Sequence, residues 1–484
     1  MRTAISDPTI CAATPSHTTL PLAALMLALG VIFGASIANA APPVVSAGDD
    51  RSIEAPAVVV LAGSATDDGP AESLVYSWSA EPAGVTFTTP NAASTEARIP
   101  AAGAYTVTLT VSDGAESGSD ALVVTAEPAV YPSADDDTQP DNGWVRAAAA
   151  DVGMNQALLD QAAAYASSAP SGAGAGMIVR RGRLVHSWGD IDLRYDLKST
   201  TKSVGGMALG MAMDDLLLTV TDRADAHLSS IGVPPDTNAQ TGWVPEITVL
   251  QLATHTAGFD KPGDYQELLF QPGTTWFYSD SGLNWLADLL TGVFARDLDA
   301  LMGERVWPVL GVNADDVVWR SMASGYRPTP SADGIEHREL ASGIIANVNA
   351  MARVGLLFLR RGMWGGQRVL SEAFIDMTQT PRAETAAAAN PNATEFPGAT
   401  LDYGLLWWTN ETGQMPNVPR DAYWAWGLGD SLIVVIPSLD LVIARAGPQA
   451  TEASAGRVWN DSDWNGDYAV LIPFLEPIVQ SVTQ

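Results

Sequence analysis

Between Tyr105 and Val111 the chain alternates Tyr, Val, Leu and Val with three threonines, the two-residue period of a strand that buries one face. Residues 58–61 and 74–78 are shorter runs of the same texture, and Asp68-Gly69 and Asp113-Gly114 mark turns between such runs. Over 41–127 the pattern predicts a small all-β sandwich with Trp78 in its core. The texture changes at YPSADDDTQPDNG, which begins at Tyr131. It is acidic and turn-forming, so 128–143 reads as a linker with few contacts between the units it joins. From Trp144 to the C-terminus strand and helix patterns mix. Residues 177–180 and 184–188 flank a Gly182 turn as a hairpin, 431–436 and 441–444 form another, and helical periods lie between, around 284–290 and 351–359. Strands at both ends enclosing helices predict an α/β domain: one antiparallel sheet that both ends complete together, with an inserted helical region. Ahead of everything, residues 20–37 are apolar and uncharged and are followed by Ala38-Asn39-Ala40. That predicts a signal peptide over 1–40, cut after Ala40.

Composition narrows the function classes. The 484 residues are 47% hydrophobic, enough for two or three cored domains. A net charge of -30 argues against a nucleic-acid partner, whose phosphates need Lys and Arg, and disfavours anionic membrane surfaces. With the signal removed no stable membrane insertion is expected, and the mature chain is expected to be secreted or periplasmic. The one cysteine, Cys11, precedes the cleavage point, leaving neither disulfide nor thiolate metal site. Asp67 and Asp68 sit at a turn, where carboxylates are usually solvated. His-Glu-x-x-His, Walker, dinucleotide and Gly-x-Ser-x-Gly patterns are absent, so neither a metal nor a cofactor is expected.

The candidate chemistry lies in DLKSTTKSVGG. The Ala-, Met- and Leu-rich run after it predicts a buried helix beginning close to Ser199. Lys202, three residues on, then shares a face with Ser199, its amine within reach of the serine oxygen. That geometry lets a lysine take the serine's proton, and a helix start offers free N–H groups to an oxyanion. Three further stretches make the motif specific: TVLQLATHTAGF from Thr248, PGTTWFYSDSGLNWLADLLTG from Pro272, and YWAWGLGDSLIVVIPSLDLVIAR from Tyr423. Together the four resemble the serine β-lactamase and penicillin-binding-protein superfamily, specifically its class C-like branch of β-lactamases, D,D-peptidases, esterases and aminohexanoate-oligomer hydrolases. The resemblance spans 144–484 and implies the transpeptidase-like α/β fold. PPVVSAGDD, LAGSATDDG, YSWSA and GAYTVTLTVSDG resemble the PKD family of immunoglobulin-like domains over 41–127, mostly spacers or modules that bind carbohydrate or protein.

The resemblance implies roles. Ser199 would be the nucleophile and Lys202 the lysine that shares its proton. Tyr278 would take that proton and pass it to the leaving group, with the ammonium beside the phenol making the pair a unit. Ala425-Trp426-Gly427 stand where the family has Lys-Thr-Gly or His-x-Gly on a strand edge. There Gly427 is expected to let a substrate approach the backbone, Trp426 to line the substrate, and the Leu428 N–H to join that of Ser199 as the oxyanion hole. The missing cation, and Asp280 facing the substrate where the family usually has Asn, disfavour a carboxylate-bearing substrate. Arg327 and Arg338 are the candidates to replace that cation. The implied activity is acyl-enzyme hydrolysis of a small-molecule ester or amide, or a peptide. Its alternatives are a β-lactamase or D,D-peptidase acting on cell-wall-like substrates, and a non-catalytic protein docking on a surface through its first domain. His255, Trp407, Trp408 and Trp424 read as structural.

Overall fold

A computed structural model describes residues 41–136, 138, 141–167, 174–324, 326–327, 333–447 and 468–483. The signal-peptide expectation and Cys11 lie outside them.

The N-terminal unit is a pair of facing sheets. Strands Arg51–Ala55, Ser117–Pro128, Gly103–Ser112 and Val75–Glu81 form one in that order, and Ala57–Ala62, Ser94–Ile99 and Thr86–Phe87 form the other. Tyr105, Val107, Leu109 and Val111 all point inward, as their alternation predicts, and pack with Leu61, Leu122 and Trp78. The Trp78 indole N–H, buried with its ring, donates to the Ala92 carbonyl at 3.0 Å.

The second unit is built on a six-stranded antiparallel sheet. Its strands are β1 (Ala175–Arg180), β2 (Arg183–Trp188), β3 (Trp408–Thr409), β4 (Tyr423–Gly427), β5 (Ser431–Ile436) and β6 (Leu441–Ala446), in the order β2-β1-β6-β5-β4-β3. The two hairpins meet where β1 pairs with β6, so both ends of the region complete one sheet, as expected. Strands β1, β4, β5 and β6 are buried on both faces. Their sequences are accordingly apolar runs without alternation. One face is covered by α5 (Val348–Leu359) and the helical region. That region includes α2 (Thr200–Gly205), α3 (Met207–Asp214) and α4 (Asp280–Phe294). Opposite lie α1 (Gln156–Ala166) and α6 (Tyr468–Gln480). Among the described residues no helix is long and apolar enough to cross a membrane.

The units are in close contact, contrary to the linker expectation. Glu54, 4% exposed, accepts from Arg360 Nη2 at 3.0 Å and from Arg183, and Arg360 also holds Asp440 at 2.7 Å. Arg98 reaches across to Glu372 at 2.7 Å and Asp376 at 3.3 Å. The acidic stretch itself is strapped down. The fully buried Arg353 donates to the carbonyls of Ser133 and Asn142 at 2.8 and 2.7 Å, and the Asp135 N–H donates to the Gly311 carbonyl. Arg353 holds the stretch by its backbone carbonyls, and of its carboxylates Asp141 pairs with Arg146 at 2.6 Å.

Candidate active site

Ser199 stands at the N-terminus of α2 without capping it: its side chain makes no cap hydrogen bond, which leaves the hydroxyl for other work. Every residue of α2 is buried despite the polar run Thr-Thr-Lys-Ser. Hydrogen bonds from its hydroxyls offset the cost. Thr200 Oγ1 donates to the Ser431 carbonyl at 2.6 Å, Ser203 Oγ donates to the Leu406 carbonyl at 2.6 Å, and Thr201 Oγ1 accepts from the Ile344 N–H at 2.9 Å. These bonds seat the helix between β5 and the segment around Ile344.

Lys202 is 2% exposed, and its three N–H groups meet three acceptors: Ser199 Oγ at 2.9 Å, Asp280 Oδ1 at 2.7 Å and the Ala341 carbonyl at 2.7 Å. Burial pulls its pKa down, but the Asp280 charge and the Tyr278 oxygen outweigh that and raise it above the ordinary lysine value. Lys202 is therefore an ammonium donating to the serine, not a free amine that takes its proton. Asp280, expected to face the substrate, gives one oxygen to Lys202; its other lies 3.9 Å from Lys261 Nζ.

Tyr278 lies beside the same ammonium, whose Nζ is 4.8 Å from the ring centroid. Its ring is clamped between His255 at 4.4 Å and Phe396 at 4.9 Å, both stacked, with Trp276, Tyr403 and Trp408 behind. The Ser279 N–H donates to His255 Nδ1 at 3.1 Å, so the ring proton sits on Nε2, facing Tyr403 Oη at 3.3 Å. Burial, with Lys202 and Lys261 nearby, holds His255 well below the ordinary imidazole range. It is a neutral wall for Tyr278. His255 thus belongs to the site as a positioning residue.

The strand side departs from expectation at two residues. A Cβ on Gly427 would stand 2.2 Å from the Leu197 carbonyl oxygen and 2.9 Å from the Thr200 nitrogen. Its missing side chain makes room for the chain carrying Ser199, not for a substrate. Trp426, expected to line the substrate, is 3% exposed, packs on the α1/α6 face and donates to Asp430 at 3.1 Å. Trp407, Trp408 and Trp424 are core, as expected. Gly427 is beside Thr200, the residue after Ser199, and Leu428 follows it in the chain. Among the described residues neither the Ser199 nor the Leu428 N–H donates to a protein acceptor. Arg327 and Arg338 supply no free cation: Arg327 pairs with Asp288 and stacks on Tyr265 and Trp285, and Arg338 pairs with Asp297.

Sequence reasoning missed Phe396, Asn284, Ala341 and Lys261. Asn284 is fully buried, one turn along α4 from Asp280. Its Nδ2 donates to the Gly263 carbonyl and its Oδ1 accepts from the Ala341 N–H, which fixes the carbonyl that Lys202 uses. The four-residue spacing from Asp280 was the available signal. Phe396 and Ala341 carried none. Lys261 follows the Thr248 stretch closely, but only a turn-forming Pro-Gly marks it.

The β-lactamase family profile matches residues 146–464, and a PKD domain profile matches 47–126. No curated protein matches the sequence. Among solved structures, a candidate β-lactamase from Bacteroides dorei is 15% identical, with 68% of this chain and 99% of that one covered and a TM-score of 0.53. A candidate 6-aminohexanoate-dimer hydrolase from Bacillus anthracis is 16% identical, covering 72% and 90%, with a TM-score of 0.51. EstCE1, described as a hydrolase with promiscuous acyltransferase activity, is also 16% identical, covering 66% and 99%, with a TM-score of 0.50. At these identities the likeness is one of fold. The profile match spans most of the chain and includes Ser199, Lys202 and Tyr278, so this protein belongs to the β-lactamase family and carries a PKD-like domain ahead of its hydrolase fold.

Proposed function

We propose that this protein is a secreted serine hydrolase that forms an acyl-enzyme at Ser199 and cleaves ester or amide bonds of small substrates. The observation that carries the reading is the Ser199 hydroxyl, unused by its helix and held at 2.9 Å by a buried ammonium whose three N–H groups are all engaged. Because Lys202 donates, the base has to be another group, and the clamped Tyr278 phenol is the one beside it. Ser199 Oγ attacks the carbonyl carbon, its proton is relayed through the Tyr278 oxygen beside Lys202, and the Ser199 and Leu428 N–H groups receive the oxyanion. Tyr278 then protonates the leaving group. Water repeats the sequence on the acyl-enzyme.

An ester is favoured over a β-lactam because Ala425-Trp426-Gly427 place no cation on the strand beside Ser199, and Arg327 and Arg338 are engaged elsewhere. The β-lactamase or D,D-peptidase reading keeps one observation in its favour. Asp280 is neutralised by Lys202 and does not repel an anionic substrate. Secretion rests on the apolar segment before Ala40, and a surface-binding role for the PKD-like domain on the company such domains keep.

Labelling with a fluorophosphonate, lost in Ser199→Ala, tests the acyl-enzyme. Tyr278→Phe should lower turnover of p-nitrophenyl butyrate by about a hundredfold or more. Turnover persisting in Ser199→Ala ends the proposal. A higher kcat/KM for a cephalosporin than for the butyrate moves the reading to β-lactamase.

A further inference from the structure

The strand side of Ser199 lacks a cation, yet one stands on the helix side. Lys261 Nζ lies 4.9 Å from the centroid of the Tyr278 ring, and its side chain is 47% exposed, so it faces both the tyrosine and solvent. Its backbone is pinned. Ser279 Oγ donates to the Asp260 carbonyl at 2.8 Å and the Asp280 N–H donates to the Lys261 carbonyl at 2.8 Å, tying residues 260–261 to the start of α4. Asp260 turns its carboxylate onto the Lys261 backbone N–H, at 2.7 Å. Among the described residues Asp280 is the one carboxylate within 4 Å of either ammonium, and it serves Lys202 at 2.7 Å and Lys261 at only 3.9 Å. One carboxylate shared unequally between two ammoniums leaves the outer one underused. The neutral His255 adds no charge.

We propose that Lys261 is a specificity residue that recognises negative charge on the leaving group of the substrate. The proposal rests on the acyl-enzyme reading, in which Tyr278 hands the departing group its proton, so whatever leaves passes the ring that Lys261 overhangs. The step itself needs no partner but water: the Ser199 Oγ–carbonyl bond forms, the bond to the leaving oxygen breaks, and that oxygen takes the proton from Tyr278. The recognition is one-sided, of the leaving group and not of the acyl group.

The test compares 4-(butyryloxy)benzoate with its methyl ester, which share an acyl group and differ in leaving-group charge. The ratio of their kcat/KM values should fall about three- to fivefold in Lys261→Gln, the scale of a half-exposed ion pair. It should fall further in Lys261→Glu and be kept in Lys261→Arg, and salt should erode it in the unmodified protein and in Lys261→Arg but not in Lys261→Gln. The corresponding ratio for phenyl hemisuccinate over phenyl butyrate, with the charge on the acyl side, should not move. Equal losses on both benzoates in Lys261→Gln, or an equal change in the succinate ratio, overturn the proposal. Calorimetry on Ser199→Ala gives a readout free of turnover: 4-hydroxybenzoate should bind more tightly than methyl 4-hydroxybenzoate, and Lys261→Gln should remove the difference. If the unmodified protein hydrolyses neither benzoate and takes no fluorophosphonate label at Ser199, the acyl-enzyme reading falls, and the calorimetric preference alone still decides for or against Lys261.

Discussion

Removing Asp280 should expose how strongly the buried ammonium depends on its partner. Lys202 and Asp280 are 2.7 Å apart, and at an effective dielectric near 20 two unit charges at that distance attract by about 6 kcal/mol. Against this stands the cost of burying Lys202 at 2% exposure, several kcal/mol for an ion. Asp280→Ala removes the attraction and leaves the cost, a loss of about 3–5 kcal/mol for a broken buried pair. Asp280 is 17% exposed, which argues for the lower end. Asp280→Asn keeps an acceptor for Lys202 but not the charge, and should cost about 1.5–3 kcal/mol. In Lys202→Met/Asp280→Leu neither charge is stranded, so the double variant should be more stable than the two single losses summed, by at least about 2 kcal/mol. Urea unfolding followed by tryptophan fluorescence measures all of these variants. The pH dependence has a definite sign. A lysine whose folded pKa is raised contributes stability that is complete below its unfolded value, about 10.4, and lost as pH rises through the folded one. The pair's own contribution should therefore be constant from neutrality to about pH 9, whereas in Asp280→Ala the unpaired ammonium sheds its burial cost by losing its proton, so the deficit should shrink as pH rises. Single and double losses that add to within about 0.5 kcal/mol would refute the coupled pair.

Three other outcomes follow from the geometry. Gly427→Ala should cut kcat by at least about tenfold with the fold retained by circular dichroism, because its Cβ has to push back the Leu197 carbonyl and the Thr200 N–H beside the nucleophile. Glu54→Ala should destabilise the whole protein by about 3 kcal/mol or more in urea, since the buried Arg360 keeps only Asp440; deleting 41–127 should do the same, whereas a loosely tethered first domain would leave the midpoint unchanged. His255, with its pKa depressed by burial, takes up a proton more readily when unfolded. Stability should thus fall as pH drops below about 6.5, by up to about 1.4 kcal/mol per unit from this group, and His255→Asn, whose side chain tolerates the φ of 60° at that position, should flatten that slope.

Local periodicity was enough for the elements. The alternation at 105–111 and the runs at 431–436 and 441–444 report which residues leave water whatever covers them, so strands and hairpins were legible before any partner was known. The Ser199–Lys202 contact was legible for the same reason, since both groups lie within one helical turn. Whether Lys202 gives or takes a proton was not, because its other two acceptors are 78 and 139 residues away in the chain. Trp426 failed differently. On a strand buried on both faces the two-residue period carries no polar mark, so nothing local says that Ala425 and Gly427 face the helical side while the indole faces α1 and α6. The acidic strap and Lys261 share a third cause. Side-chain type reports the cost of leaving water, but Arg353 binds backbone carbonyls and Lys261 is placed by hydrogen bonds to the start of α4, and partners of that kind exist only once the chain has folded.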